Sequence, residues 1–532
     1  MGEVTEELSR KSKYNKRKEI MSQTSDNNKR VAKNTLFLYF RMILIMLVTL
    51  YTSRVILAEL GIRDYGIYNV VGGVVTTFAF LNNCMTSSTQ RFMTFELGCG
   101  DKQRLKKVFA ASLNIHLVIA MIIVLLAETL GLWFLNAKLV IPAERMVAAN
   151  WVYQFAILSF CVNILQVPYN AVLIAHEKMS IYAYISIVEA FLKLGIVYLL
   201  IISPFDKLIA YGILLFAVQL LIRCIYQIYC CKHYEESRFH LFWDKDLYSQ
   251  MSGFAGWNLF GSIAWLLRDQ GVNIILNMFF GPVINAARGV ATQVSGAVMN
   301  FISNFQVALN PQITKNYANG NIVEMEKLSY LGIKFSYMIL FALAFPLSLN
   351  IDYVLQLWLV EVPDYAALFI VLILIDSMVG ALFGTPLMTS LSATGIIKNY
   401  QIVVSLVILC IVPVGYALLK MGYDAPSVFY TTIVFSLISG FVRFLFCRKQ
   451  IGYSLRRLSR GVLLPVLGMT VVSLPLPVYL KLKVFDSNNL MNFIILCLVA
   501  FVASSLSAWY IAMRKSERNT IVKTIKNKIN KR

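Results

Sequence analysis

In a chain of 532 residues, 58% are hydrophobic and only 14% charged, and the mean hydropathy is +0.66. That composition excludes an ordinary soluble enzyme and leaves an integral membrane protein, because fourteen spans of about 20 residues use roughly 280 positions and leave no room for a separate soluble domain. The net charge of +21 does not point to nucleic acid, since the basic residues sit in the tails and alternate loops, where they set membrane orientation.

Residues 1–33 are polar and basic, with neither an apolar core nor a small-residue cleavage site, so they read as a disordered basic tail and not as a secretory signal. Met21 offers an alternative start, and residues 1–20 are assigned no structure. A hydropathy window of about 19 residues then predicts helical spans at 34–58, 66–90, 108–133, 147–170, 180–202, 208–231, 253–280, 286–310, 331–352, 365–393, 399–419, 425–447, 461–481 and 490–513. An even number puts both tails on one side. Most of the 49 lysines and arginines lie in those tails and the loops level with them, whereas the opposite loops hold only Arg63, Lys138, Arg145, Lys207, Lys420, Lys481 and Lys483. The bias predicts that both termini are cytoplasmic.

Shifting the chain by 220 residues aligns Gly61 with Gly281, Gly100 with Gly320, Lys107 with Lys327 and Arg223 with Arg443. A shift of 218 aligns Pro168 with Pro386, Ala175 with Ala393 and Tyr182 with Tyr400. Six spans return the chain to its starting side, so the repeat is parallel. The predicted fold is an all-α polytopic membrane protein of about fourteen helices, two six-helix bundles facing each other across a central cleft. The units are a cytoplasmic tail 1–33, an N-terminal bundle 34–231, a cytoplasmic linker 232–252, a C-terminal bundle 253–447, a loop with spans 13 and 14 over 448–513, and a basic tail 514–532.

Several spans carry charge. Arg41 and Arg54 lie in the first, Arg268 and Asp269 in the seventh and Arg288 in the eighth. An arginine at membrane depth costs about 2.5–3.5 kcal/mol on insertion scales, so it is rarely kept without a partner or a wet cavity. Lining one cleft, these arginines would form a cationic ladder for an anionic head group, phosphate above all. The alternative is that the outer arginines snorkel and Arg268 pairs with Asp269. Arg41 and Arg54 are thirteen residues apart, about 140° around a helix, so they cannot both face one narrow cleft unless the helix bends. Glu189 and Lys193 stand four apart in the fifth span, in the order that favours an ion pair. The sharper reading makes Glu189, with Lys193, Glu128, Asp269 or Asp376, a titratable site that couples ion movement to transport. Gly72-Gly73, Pro168, Pro346 and Pro386 are candidate helix breaks.

Signals for an enzyme are weak. Asp244-Lys245-Asp246 spells D-x-D in a short loop, but no nucleotide-binding loop or zinc spacing occurs. The nine cysteines form no C-x-x-C and mostly lie in apolar spans, as small core residues do. No catalytic residue, metal or cofactor is expected.

Lys29 to Thr35, the turn Leu60 to Tyr68, Gln90-Arg91-Phe92, the G-x-G-D turn Gly98 to Asp101 and above all P-Y-N-A-V-L-I-A-H-E-K-M from Pro168 to Met179 resemble the polysaccharide-transport family of the multidrug/oligosaccharidyl-lipid/polysaccharide exporter superfamily, in particular bacterial O-antigen-type flippases. The resemblance, over about residues 29–513, implies a V-shaped alternating-access transporter of the bacterial inner membrane. It would move undecaprenyl-diphosphate-linked oligosaccharide, an O-antigen or capsule repeat unit, from the cytoplasmic to the periplasmic leaflet. Its cationic cleft would be built mainly on spans 1, 2, 7 and 8, and Arg41, Arg54, Arg268 and Arg288 lie on those spans. Implied partners are the lipid-linked oligosaccharide, membrane lipids, a glycan polymerase and assembly proteins. The alternative is a cation-coupled multidrug exporter of the same superfamily. A membrane glycan polymerase or ligase is disfavoured, because the longest outer loops, near 134–146 and 353–364, span only about a dozen residues, too short for the large periplasmic loop expected of such an enzyme.

Overall fold

The computed structural model describes residues 34–49, isolated positions between 51 and 75, and residues 79–137, 141–238, 243–359, 362–485, 489–519 and 522. The chain folds into a polytopic all-helical membrane protein, with no strand among the described residues. In chain order the helices are α1 (Asn34–Thr49), α3 (Lys102–Ala137), α4 (Ala143–Ala175), α5 (Met179–Ile202) and α6 (Lys207–His233), with α2 (Ala79–Cys99) between the first two. The second half has α7 (Lys245–Phe280), α8 (Pro282–Ala318), α9 (Ile322–Leu349), α10 (Ala366–Thr394), α11 (Lys398–Lys420) and α12 (Pro426–Ile451). Helices α13 (Leu455–Lys483) and α14 (Leu490–Ala512) follow.

Ten of these helices are long and apolar enough to cross a membrane by length and composition. The description of α1 is too short, and α2, α7 and α8 fall short of the same measure because they are more polar. That polarity has a place to go: α2 packs on α7 and α8 across the seam between the halves. It also explains where the predicted ends miss. Helix α2 runs on to Cys99, α7 starts at Lys245 and α8 ends at Ala318, polar extensions that a hydropathy window discards. We call the side on which α1 begins and α14 ends the tail side.

Local chemistry fixes the helix ends. Asp101, Asp206, Asp244 and Asn489 accept backbone N–H groups at the starts of α3, α6, α7 and α14, each supplying an acceptor to an otherwise orphaned donor. Asp244 of the D-x-D sequence is therefore a helix cap. Gly61 and Gly281 have φ of 74° and 76°, and Gly100 and Gly320 have 76° and 72°, so both glycine pairs that align at a shift of 220 are left-handed turns, which glycine adopts without steric cost. Helix α10 breaks at Gly384, just before Pro386, whereas α4 and α9 run through Pro168 and Pro346.

Packing follows the repeat. In the first half α4 packs on α2, α3 and α6; in the second, α10 packs on α8, α9 and α12, the helices six places on. The α13–α14 pair docks on α9, where Lys334 Nζ reaches Glu517 at 2.6 Å and Arg457 Nη1 reaches Glu326 at 2.5 Å.

Candidate functional site

Two helix stripes build a charged pocket in the first half. On the first span Arg41, Ile45, Val48, Thr52 and Ile56 recur at helical spacing and line one pocket, as residues on one helix face do. On α5 the matching stripe is Ser186, Glu189 and Lys193. With Tyr211 of α6 they enclose a cavity of about 300 Å³. Lys193 Nζ donates to Glu189 Oε1 at 2.6 Å, the ion pair expected from their spacing. The Arg41 guanidinium lies over the Tyr182 ring, 4.7 Å from its centroid, and its buried Nε has no hydrogen-bond partner among the described residues. Two cations against one carboxylate leave this pocket with an excess positive charge. Arg41 thus joins Glu189 and Lys193, two features that the sequence leaves separate.

In the second half the alternative pairing of Arg268 with Asp269 does not occur. Arg268 Nη2 on α7 bonds Asp376 Oδ2 on α10 at 3.2 Å, while Asp269 pairs with Arg288 on α8. Neighbours in a helix project about 100° apart, so each faces a different helix. Arg288 also donates to Asn273 Oδ1 at 2.5 Å and to the Asp269 carbonyl at 3.2 Å. Arg268 and Arg288 are therefore each paired with a carboxylate, while Arg41 lies in the other half. The remaining Asp376 oxygen, Oδ1, is buried without a partner among the described residues. Glu128 stands apart from both groups, in a π-helical turn of α3, and accepts from Gln154 Nε2 at 3.1 Å. Arg54 lies outside the described residues. Also among the described residues, no three His, Cys, Asp or Glu side chains gather as a metal site requires.

The seam between the halves uses residues not singled out as candidates. Arg91 of α2 donates from Nε to the Ser392 carbonyl at 3.0 Å and from Nη2 to the Ala393 carbonyl at 2.9 Å, a cation placed on the electronegative end of α10. In the opposite direction, α8 holds the turn after α4. Lys315 Nζ bonds Glu177 Oε1 at 2.8 Å, Gln312 donates to the other Glu177 oxygen, and Asn34 Nδ2 donates to the Glu177 carbonyl at 3.2 Å. Glu177 has φ 58°, a left-handed conformation uncommon outside glycine and a marker of functional strain. These bonds lie toward the tail side; a deeper link across the seam joins Cys84 to Ser262 at 3.4 Å. The sequence signal was available, since Arg91 and Glu177 sit inside the Q-R-F and H-E-K-M motifs.

No family model matches the chain, and no curated protein matches it. Solved structures do. The outward-facing conformation of a multidrug resistance MATE family transporter of the MOP superfamily aligns with TM-score 0.67 and 14% identity, over 80% of this chain and 96% of that one. A point mutant of the Vibrio cholerae MATE transporter VcmN aligns with TM-score 0.67 and 16% identity, over 81% and 99%. A MATE in the bent conformation gives 0.67 and 14%, over 82% and 98%. At such identities the likeness establishes a shared fold.

Proposed function

We propose that this chain is an alternating-access exporter that carries an amphiphilic solute outward across the membrane. The observation that carries this reading is the seam. Two six-helix halves with like packing are clasped toward the tail side through Arg91, Glu177 and Lys315, so release of the clasp and rocking of the halves would exchange which side is open. Export of organic drugs is supported by the name of one fold neighbour, a multidrug resistance transporter, and by the pairing of Arg268 and Arg288 with carboxylates, which offsets the positive charge they would offer an anionic solute. Asp376, with one oxygen unpartnered, is then the carboxylate that takes up the coupling ion.

A second reading, flipping of diphosphate-linked oligosaccharide, is supported by the motifs from Lys29 to Met179 and by Arg41, the one candidate arginine described without a carboxylate partner. In that mode the lipid tail stays in the bilayer while the head group crosses a wet cavity, avoiding the desolvation of charge in hydrocarbon. Deletion of the gene in its host separates the two. Drug export predicts raised retention of cationic dyes, reproduced by Asp376→Asn, with normal surface glycan. Flipping predicts loss of surface glycan and build-up of lipid-linked oligosaccharide on the inner leaflet, reproduced by Arg41→Ala. A deletion strain that changes in neither respect rules out both.

A further inference from the structure

A second cavity, of about 500 Å³, opens along the tail-side seam. Arg91 and Phe92 of α2 form one wall, Ser249 to Trp257 of α7 another, and the turn from Thr394 to Lys398 the third. Its charged lining residues are Arg91 and Lys398, and no carboxylate is among them. The nearest acid along α2, Glu96, is engaged by Arg104 at 3.1 Å. Arg91 uses Nε and Nη2 on the α10 carbonyls and its guanidinium lies over the Phe92 and Phe95 rings, while Nη1 makes no hydrogen bond among the described residues. Lys398 Nζ stands 5.4 Å from the centre of the Trp257 ring.

The depth of the cavity identifies the ligand. Helix α7 starts at Lys245 and α11 at Lys398, so at 1.5 Å per residue Ser249 to Trp257 lie roughly 6–18 Å inside the tail-side end. Apolar side chains are exposed at the adjoining helix ends: Ile396 is 66% exposed in the turn before α11 and Trp243, just before α7, is 78% exposed. Aromatic and apolar side chains at a helix end mark the head-group region, and a basic pocket between helices at that depth suits the phosphate of an anionic lipid. We propose that this cavity binds the head group of an anionic phospholipid from the tail-side leaflet, with the phosphate between Arg91 Nη1 and Lys398 Nζ. Its walls come from both halves, so the two cations converge only while the tail side is closed. A lipid that binds one state more tightly shifts the population toward it, so occupancy favours the closed clasp, whichever solute is exported.

The test uses the full chain in nanodiscs of phosphatidylcholine alone, of phosphatidylcholine mixed with phosphatidylglycerol, and of phosphatidylcholine with millimolar inorganic phosphate. Retained lipid is read by native mass spectrometry and the tail-side gap by spin labels at Lys102 and Lys327. Phosphatidylglycerol should be retained and should shorten the label distance, and Lys398→Gln should weaken retention about fivefold, the effect of one basic residue at a membrane surface. Arg91→Gln should do the same, but it also loosens the clasp; exposed Lys398 lies outside the clasp, so its variant isolates the lipid contact. Equal retention by the native chain and Lys398→Gln overturns the proposal. So does a gap that ignores phosphatidylglycerol, or one that closes with inorganic phosphate alone.

Discussion

In the second half, Arg268 and Arg288 are held in ion pairs between helices, and this gives each pair a testable cost. Arg268 and Asp376 are 17% and 20% exposed, so removing one strands its partner in a poorly solvated site. Breaking such a pair costs about 3–5 kcal/mol, whereas an apolar replacement of both is often neutral. Arg268→Ala should therefore lower the thermal midpoint of the purified protein, and Arg268→Met with Asp376→Leu should recover it. Equal stability of single and double variants would show that the pair is not structural. The Glu189–Lys193 pair was legible in the sequence because four residues is a spacing within one helix; Arg268–Asp376 was not, because it depends on which face of α7 meets α10. Outside the membrane, burial pushes the Glu236 carboxyl up, but its hydrogen bond with His176, at 2.6 Å, backed by Lys106, holds it below its ordinary 4.5. A depressed carboxylate stabilises the fold above its unfolded value and loses that contribution as pH falls through the folded one. Protection from amide exchange over residues 234–238, relative to the intrinsic exchange rate at each pH, should therefore fall in acid below about 4.5, and Glu236→Gln should abolish that acid step.

Helices meet at the seam only where side chains make room. A Cβ at Gly98 would stand 2.8 Å from the Ala318 Cβ and 3.1 Å from the Lys315 Cα, so α2 and α8 cross almost backbone to backbone. Gly98→Ala should cost about 1–3 kcal/mol by overpacking, seen as a lower thermal midpoint; an unchanged midpoint would mean that the crossing relaxes freely. At this scale the sequence was most informative about order and least about ends. The fourteen apolar windows are helical almost throughout wherever their residues are described, and ten of the helices are long and apolar enough to cross a bilayer. The ends of α2, α7 and α8 escaped because their polar extensions are stabilised by partners in the other half, which no window of one segment contains.

Over the whole molecule, the proposed exporter requires the clasp to set which side of the protein is open. Each charge-assisted bond contributes about 1.5–3 kcal/mol, so Arg91→Gln combined with Lys315→Gln should move the population toward a tail-open state. The check is the alkylation rate of a cysteine introduced at Ser88, which is fully buried at the seam; a rate unchanged from the native background would show that these contacts do not hold the seam. The repeat was legible through its glycines, but the meaning of one departure from it was not. Gly395, with φ 79°, occupies the turn equivalent to Glu177, 218 residues earlier. The first copy places a carboxylate where the second keeps no side chain, and a Cβ at Gly395 would stand 2.8 Å from Arg91 Nη2. Each turn is thus shaped for the opposite half: Glu177 for Lys315, Gly395 for Arg91. Two copies of the second half would set Lys315 against a bare glycine turn, and two copies of the first would crowd Arg91 against a glutamate side chain. The seam is that of a heterodimer carried on one polypeptide, and residues 1–238 and 243–532 expressed as separate chains should find each other in preference to themselves.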